Sequence, residues 1–178
     1  MQMQEIDLPL EKLIKLKAKK KILDKIENYS KCRITIGDKS VVIESKEHAD
    51  AYGEFLAYNI INAFEKGFDI NTAFLLVNEE YYFSYIDINQ VWPDEKRKRQ
   101  IKARIIGENG RTKRYIESVS SAKISVHDDF VGFIGKVDNI AEAETAVRAI
   151  INGGTHKQAY NKMEAHHRKN KSNAFIDY

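Results

Sequence analysis

The stretch Ile105-Ile106-Gly107-Glu108-Asn109-Gly110-Arg111-Thr112-Lys113 carries the strongest structural signal in this chain. Two glycines, two residues apart, interrupt a helical pattern that resumes directly after them. Because glycine lacks a Cβ, the backbone at Gly107 and Gly110 can turn sharply and approach a bound group closely. A helix that begins at Arg111 would direct free N–H groups and a partial positive charge toward that group. The segment therefore predicts a phosphate-binding loop; the alternative is a glycine that merely ends one helix before the next.

The residues around the loop predict the order strand, helix, helix, strand, strand, helix. Residues 81–88 alternate as a strand does, and a basic helix over 94–106 follows after Pro93. The remaining elements are a helix over 111–119, strands over 123–127 and 130–134, and a helix that stops at Gly153. The apolar side chains expected on the buried faces of the two helices beside the loop are Ile101, Ile105, Ile106, Tyr115, Ile116 and Val119.

The same pattern occurs twice, about ninety residues apart. Ile26-Glu27 aligns with Ile116-Glu117, and Cys32–Ile36 aligns with Ala122–Val126. We therefore predict an α+β protein with two homologous units. In the first unit the expected elements are a strand over 3–8, helices across 10–29, strands over 32–36 and 41–45, and a helix ending near Gly67. The predicted boundaries are 1–68 for the first unit, 69–79 for an inter-domain helix or linker, 80–154 for the second unit, and 155–178 for a basic C-terminal helix and tail.

The first unit lacks the glycine loop. Under the ninety-residue shift Gly107 and Gly110 align with Lys17 and Lys20. Side chains at these positions would block close approach of the backbone to phosphate, although lysines still attract phosphate as flexible charges. The first unit is therefore expected to serve structure, diffuse polyanion affinity or a protein partner.

Basic residues are concentrated in two blocks. The chain has 178 residues, with 29 lysines and arginines against 26 acidic residues and a net charge of +3. Residues 11–33 carry nine bases and three acids, and residues 95–123 carry ten bases and three acids. Both blocks fall on the paired helices of a unit, which indicates a polyanionic partner. Two solvated helix faces are the alternative, and the same choice applies to the run Lys96–Arg99.

Composition excludes several classes of protein. The sequence contains no apolar run of about 18 residues, so a membrane span or membrane partner is not expected. Residues 1–10 lack the basic and apolar regions of a signal peptide. The single cysteine, Cys32, cannot form an internal disulfide, which favours a reducing cytoplasm.

The loop in this context resembles the signature of KH RNA-binding domains, in which an apolar pair precedes a Gly-x-x-Gly loop between two helices. The resemblance implies two tandem type I KH domains, the first with a degenerate loop. It also implies that the loop clamps about four nucleotides of single-stranded RNA backbone. An adjoining apolar groove would hold the bases, formed by Ile105, Ile106, Ile116 and Ile124. The candidate RNA-binding residues are Arg99, Lys102, Arg104, Ile105, Ile106, Gly107, Glu108, Asn109, Gly110, Arg111, Lys113, Arg114, Lys123 and Ile124.

The two-unit pattern is similar to one family in particular, the archaeal KH proteins of small-subunit ribosomal RNA processing, relatives of partner-of-Nob-one. The segments that carry the similarity are Lys102–Thr112, Ile116-Glu117, Ile124–Val126, Val131–Gly135, Glu142-Ala143, Ala149-Ile150, Glu65–Asp69, Ala73–Leu76 and Gly153–His156. The resemblance implies a non-enzymatic factor that binds single-stranded RNA near the 3′ end of small-subunit (16S) ribosomal RNA. The implied partners are the Nob-type PIN-domain endonuclease and the alpha subunit of the archaeal initiation factor that delivers initiator tRNA.

Catalytic and metal sites find little support in the sequence. His156, His166 and His167 lack a cysteine or a carboxylate at metal-ligand spacing, so we expect no metal and no cofactor. Asp128-Asp129 fits a hairpin turn better than a nuclease centre. Tyr81, Tyr82 and Tyr85 could stack on bases, but their strand periodicity favours packing.

Two hypotheses from different classes remain open. In the first, the protein is an RNA-binding ribosome assembly factor. In the second, it is a scaffold whose KH units dock a nuclease or a translation factor, with RNA binding secondary.

Overall fold

The computed structural model describes residues 3–46 and 51–174, with side chains up to residue 169. It has an α+β fold whose backbone divides into two compact units, the first ending at Glu79 and the second beginning at Glu80. Among the described residues, no helix is long and apolar enough to cross a membrane.

The first unit is a three-stranded sheet with helices packed against it. Its elements are β1 (Met3–Asp7), α1 (Leu10–Lys17), α2 (Lys20–Ser30), β2 (Cys32–Ile36), β3 (Ser40–Ser45), α3 (Ala51–Glu65), the single turn α4 (Ile70–Ala73) and a 3₁₀ turn (Phe74–Val77). The strand order is β1-β3-β2, antiparallel throughout. Apolar residues from every layer form the core, among them Leu13, Leu16, Ile26, Val41, Ile43 and Ile60.

The second unit repeats this order of elements and adds a C-terminal helix. Its elements are β4 (Tyr82–Asp87), a 3₁₀ turn (Ile88–Gln90), α5 (Glu95–Ile106), a 3₁₀ turn (Glu108–Gly110), α6 (Arg111–Ser120), β5 (Lys123–His127), β6 (Phe130–Gly135), α7 (Val137–Ile151) and α8 (His156–Ala174). The strand order β4-β6-β5 matches that of the first sheet. The core includes Ile101, Ile105, Ile116, Ile124, Phe133 and Ala146.

The junction between the second helix and the next strand is built identically in both units. A glutamate in the helix accepts a hydrogen bond from a strand N–H seven residues later, and a serine accepts one from the N–H two residues later. These pairs are Glu27–Ile34 at 2.6 Å, Ser30–Cys32 at 3.3 Å, Glu117–Ile124 at 2.8 Å and Ser120–Ala122 at 3.2 Å. Between them Lys31 (φ 57°) and Ser121 (φ 61°) both take the left-handed conformation. The ninety-residue repeat is thus present atom by atom at this junction.

The repeat fails in the connection before that junction. Lys17 is the last residue of α1 and Lys20 the first of α2, so only Ala18 and Lys19 connect the helices. Four residues, Gly107–Gly110, connect α5 and α6. The alignment of the glycines with Lys17 and Lys20 was therefore wrong, because the first connection is two residues shorter and both lysines are helical.

The segment predicted as an inter-domain linker, residues 69–79, belongs to the first unit. Its helix is split, since α4 gives way to a 3₁₀ turn at Phe74. Ile70, Ala73 and Leu76 are buried, and the Phe74 ring meets Tyr29 of α2 edge to face. Burial of these side chains makes the segment a part of the unit's fold. In the predicted tail, residues 175–178 lie outside the described residues.

Candidate nucleic-acid interface

The loop between α5 and α6 has a backbone that requires glycine. Gly107 (φ 74°, ψ 171°) ends α5, and Asn109 (φ 50°) and Gly110 (φ 76°) follow in the left-handed region. A Cβ placed on Gly107 would lie 2.7 Å from the backbone nitrogen of Thr112, well inside contact distance. Alanine at this position would therefore collide with the first turn of α6 as well as strain φ.

The same geometry opens the N-terminus of α6 toward solvent. The N–H of Gly110 donates to the carbonyl of Gly107 at 3.1 Å, which holds the loop as a tight turn. Among the described residues, no side chain caps α6, so the N–H groups of its first turn are available to an anion. Glu108 and Asn109 project into solvent at the tip. The loop thus has glycine, without a side chain of its own, at both ends of the turn that precedes the N–H groups of α6.

Exposed cations lie on the elements on either side of this loop in the chain. Arg111 and Arg114 lie on the exposed face of α6, Arg99 on α5 and Lys123 at the start of β5. Within the described part of the chain none of these four forms an ion pair. Lys113 does form one, with Glu117 at 3.1 Å. A polyanion would therefore meet a net positive surface on both sides of the loop.

Two predicted RNA-binding cations are engaged inside the protein. Lys102 donates to the carbonyl of Asp128 at 2.8 Å and pairs with Asp129 at 3.2 Å. The Arg104 guanidinium donates to the carbonyls of Ile150 and Gly154. Both side chains hold α5 against neighbouring elements, and their contact with RNA stays a prediction.

The predicted apolar groove is mostly core. Ile105, Ile116 and Ile124 are fully buried and pack in the centre of the unit. Ile106, which was expected on the buried side of α5, is 37% exposed beside the loop. The helix turns Ile105 inward, and the adjacent Ile106, about 100° away, is turned outward. Of the four isoleucines, only Ile106 offers a surface to a base.

A tether between α5 and the β5–β6 turn was missed by the sequence analysis. Lys98, only 3% exposed, pairs with Glu95 at 2.5 Å and with Asp129 at 2.8 Å. Hydrogen bonds from Lys98 and Lys102 hold the pKa of Asp129 below its ordinary value, and the bond to Asp129 raises the pKa of Lys98. The signal was present: Lys98 lies three residues before Ile101, within the apolar stripe of α5, where a charged group needs a buried partner.

Comparison with known proteins places the loop in a family. A profile for the second KH domain of PNO1, described as a eukaryotic-type KH domain (KH domain type I), matches residues 82–168. The crystal structure of an a/eIF2alpha–aDim2p–rRNA complex from Pyrococcus horikoshii OT3 matches with 30% identity and a TM-score of 0.84. The match covers 94% of this chain and 95% of the Pyrococcus chain. This chain belongs to the PNO1/Dim2 family of KH-domain proteins that process ribosomal RNA.

Curated members of the PNO1/Dim2 family are longer than the region matched. A KH domain-containing protein of Methanocaldococcus jannaschii is 32% identical over 126 residues, which is 71% of this chain and 56% of that protein. The RNA-binding protein pno1 of Dictyostelium discoideum is 26% identical over 169 residues, which is 91% of this chain and 70% of that protein. The chain thus spans between roughly half and seven-tenths of these relatives.

In this PNO1/Dim2 member α8 braces the two helices that flank the loop. His156 Nε2 donates to the carbonyl of Arg104 at 2.9 Å, and the Tyr160 ring packs on Tyr115 of α6 with centroids 4.3 Å apart. Tyr115, expected to be buried, is 37% exposed and donates its hydroxyl to Glu164 at 2.6 Å, which raises the pKa of Tyr115. Helix α8 therefore contacts both α5 and α6, and no pattern in the sequence indicated these contacts.

The residues weighed for catalysis have other partners. His167 Nδ1 lies 2.7 Å from Glu142 Oε2, and Asp128 forms the β5–β6 turn beside the tethered Asp129. Within the described residues, no group of histidine, cysteine and acidic side chains could hold a metal ion. Tyr82 and Tyr85 are about half exposed on the edge strand β4, and Tyr85 meets Phe130 edge to face. Packing thus engages only part of each tyrosine.

Proposed function

We propose that both units are type I KH domains and that only the second, residues 80–154, clamps single-stranded RNA. The identical element order and the repeated helix–strand junction support the assignment of the first unit. The match of the KH profile to residues 82–168 supports that of the second. In this assignment, residues 69–79 complete the first domain, and α8 is an appendage of the second.

The observation that carries RNA binding is the N-terminus of α6, which has no side-chain cap among the described residues and follows a turn with glycine at its first and last positions. Its positive-φ backbone at Gly107 and Gly110 brings N–H groups within reach of phosphate. Arg99, Arg111, Arg114 and Lys123 supply charge on either side, and Ile106 offers an apolar surface for a base. In this proposal Glu108 and Asn109 line the backbone path, and Lys113 joins when phosphate competes with Glu117.

The RNA ligand we propose is small-subunit ribosomal RNA near its 3′ end, bound during ribosome biogenesis in the cytoplasm. The Pyrococcus relative was crystallised with rRNA and a/eIF2alpha, and the Dictyostelium relative is named an RNA-binding protein. These names support the RNA and the initiation-factor alpha subunit as partners of this chain. The Nob-type endonuclease is proposed on the family resemblance alone, and the protein itself is proposed to be non-enzymatic.

The decisive experiment places negative charge in the loop. Glu108→Asp combined with Asn109→Asp brings carboxylates close to the backbone where phosphate would lie, and aspartate tolerates the left-handed conformation of Asn109. We expect affinity for a labelled single-stranded rRNA 3′-end oligonucleotide to fall at least about tenfold in fluorescence anisotropy. Asn28→Asp, on the exposed face of α2, adds the same net charge and should leave affinity within about twofold.

Unchanged affinity in a folded double variant would overturn the clamp and favour a protein scaffold.

Salt dependence gives a second measurement, because each neutralised phosphate of a single strand adds about 0.7 to the slope of log K against log salt. A slope near zero would contradict the role of the four free cations. RNA cut by the purified protein, with cutting lost in Asp128→Ala, would contradict the non-enzymatic assignment.

A further inference from the structure

Helix α1 of the first unit presents apolar side chains to solvent. Leu10 is 66% exposed and Ile14 is 59% exposed, although α1 buries Leu13 and Leu16 on the adjacent face. Leu10 and Ile14 are one turn apart, and Lys17 continues the same face by a further turn. We call Leu10, Ile14 and Lys17 the α1 stripe; it extends about 10 Å along the helix.

Unbalanced positive charge adjoins the α1 stripe. Lys17, Lys20 and Lys21 are exposed where α1 passes into α2, and within the described residues none of them forms an ion pair. The acids nearby do not balance this charge: Glu11 pairs with Lys15 at 2.5 Å, Glu27 accepts the N–H of Ile34, and Asp24 is a single exposed acid one turn beyond Lys20. The surface is therefore apolar at one end and cationic at the other.

This combination fits a protein segment better than RNA. The connection Ala18–Lys19 has negative φ at both residues, −70° and −102°, and carries side chains, so it cannot bring backbone donors against phosphate. Ile106 lies beside the glycine loop, whereas Leu10 and Ile14 have no such loop near them, so a base on the α1 stripe would lack the backbone bonds to phosphate that hold it in register. Exposed aliphatic side chains at helical spacing are the usual anchors for a partner helix.

We propose that the α1 stripe docks an acidic amphipathic helix of a protein partner. Apolar residues of that helix pack on Leu10 and Ile14, and its carboxylates face Lys17, Lys20 and Lys21. This interaction is separate from the RNA clamp, because it uses the first unit and none of the loop residues.

Photo-crosslinking tests the proposal in cells. Ile14→p-benzoylphenylalanine keeps the position apolar, and we expect ultraviolet light to join it to a protein segment rich in acidic residues, with apolar residues three and four apart. Phe55→p-benzoylphenylalanine is the control, because Phe55 is 61% exposed on α3 of the same unit. No crosslink above that control, or a crosslink that is lost on ribonuclease treatment, would overturn the proposal.

Charge reversal tests complementarity. Lys17→Glu, Lys20→Glu and Lys21→Glu together should reduce the Ile14 crosslink at least about tenfold. The matched triple Lys25→Glu, Lys31→Glu and Lys39→Glu makes the same charge change at exposed positions outside the stripe and should leave the yield within about twofold. Equal loss in both triples would overturn the docking site. Glu108→Asp with Asn109→Asp should not change the crosslink, which separates this proposal from the RNA clamp.

Discussion

The two helix connections of this protein, Ala18–Lys19 and Gly107–Gly110, occupy the same place in the order of elements, and each precedes a helix that ends in the same junction. The first has two residues, both with negative φ, and the second has four, three of them with positive φ. A chain that must turn between helices needs only the shorter form. The first unit makes its turn without the additional length and left-handed backbone of the second connection. These two features are therefore not required for the turn itself.

This difference separates what stabilises the fold from what binds a ligand. The glutamate and serine bonds at the helix–strand junction recur in both units at closely similar lengths. Within the described residues, neither α2 nor α6 has a side-chain N-cap, but the glycines with left-handed backbone before the helix occur in the second unit only. A fold of this kind thus keeps its junctions when the loop changes, and the loop alone decides whether backbone can meet phosphate.

Exchanging the connections has the largest expected effect. Replacing Gly107–Gly110 by Ala-Lys should preserve the far-ultraviolet circular dichroism spectrum, because the first unit folds with that connection. RNA affinity should fall at least about 100-fold, since two or more hydrogen bonds to a charged phosphate are lost at about 1.5–3 kcal/mol each. Fluorescence anisotropy measures the loss.

The reciprocal exchange serves as its control. Gly-Glu-Asn-Gly in place of Ala18–Lys19 should create a second, weaker RNA site, since lysines already surround that turn. If the variant with Ala-Lys in place of Gly107–Gly110 kept its RNA affinity within about threefold of the native protein, the glycine connection would not be what distinguishes RNA binding by the two units.

The junction glutamates should give equal, intermediate effects. Glu27→Ala and Glu117→Ala each leave a strand N–H without its acceptor, at an expected cost of about 1–3 kcal/mol in the free energy of unfolding. Urea titration measures both, with circular dichroism for the whole chain and fluorescence of Trp92, the single tryptophan, for the second unit. A cost in one unit that exceeds the other by more than about 1 kcal/mol would show that the junctions differ in energy despite equal geometry.

Local patterns in the sequence were sufficient for the order of elements and for the loop. Alternation located the strands, and the glycines and apolar stripes located the helices, because these signals depend on residues close together in the chain. The length of the first connection escaped for the same reason. A shift that aligns α2 with α6 does not show whether α1 also aligns with α5. It does not, because Leu13 and Leu16 are buried whereas the residues ninety positions later, Ala103 and Ile106, are exposed.

The surface of the site depended on contacts between distant residues. The basic run around Lys102 and Arg104 predicts that both contact RNA. In the structure they donate hydrogen bonds to carbonyl groups 26 and 50 residues away in the chain. The sequence gives no reason to expect different burial for Ile105 and Ile106, and only the position of the core relative to α5 shows that Ile105 is buried and Ile106 exposed. No pattern within one helix reveals whether a charge already has a partner, so the sequence did not show that Lys102 and Arg104 are bound inside the unit.

Acid should weaken the second unit by protonating Asp129 in the tether between α5 and the β5–β6 turn. The pKa of Asp129 is lowered by Lys98 and Lys102, so its contribution to stability is present above the unfolded-state value of about 3.9. That contribution is lost as pH falls through the lower, folded-state pKa. Asp129→Asn should therefore be less stable than the native protein at neutral pH, with a difference that shrinks below about pH 4. Trp92 fluorescence in acid titrations measures it, and a difference independent of pH would contradict the tether.

Glycine substitutions give the smallest expected effects, and they test the contribution of backbone conformation to stability. Lys31→Gly and Ser121→Gly relieve left-handed strain of about 1–2 kcal/mol and lose about 0.5–1 kcal/mol to the flexibility of the unfolded chain. Each should therefore stabilise by roughly 0.5 kcal/mol, a rise of about 1–2 °C in Tm. Ala18→Gly, where φ is −70°, gains no such relief and should destabilise. A shift of Tm in the same direction for all three variants would contradict this explanation, because the effect of glycine would then not depend on the sign of φ.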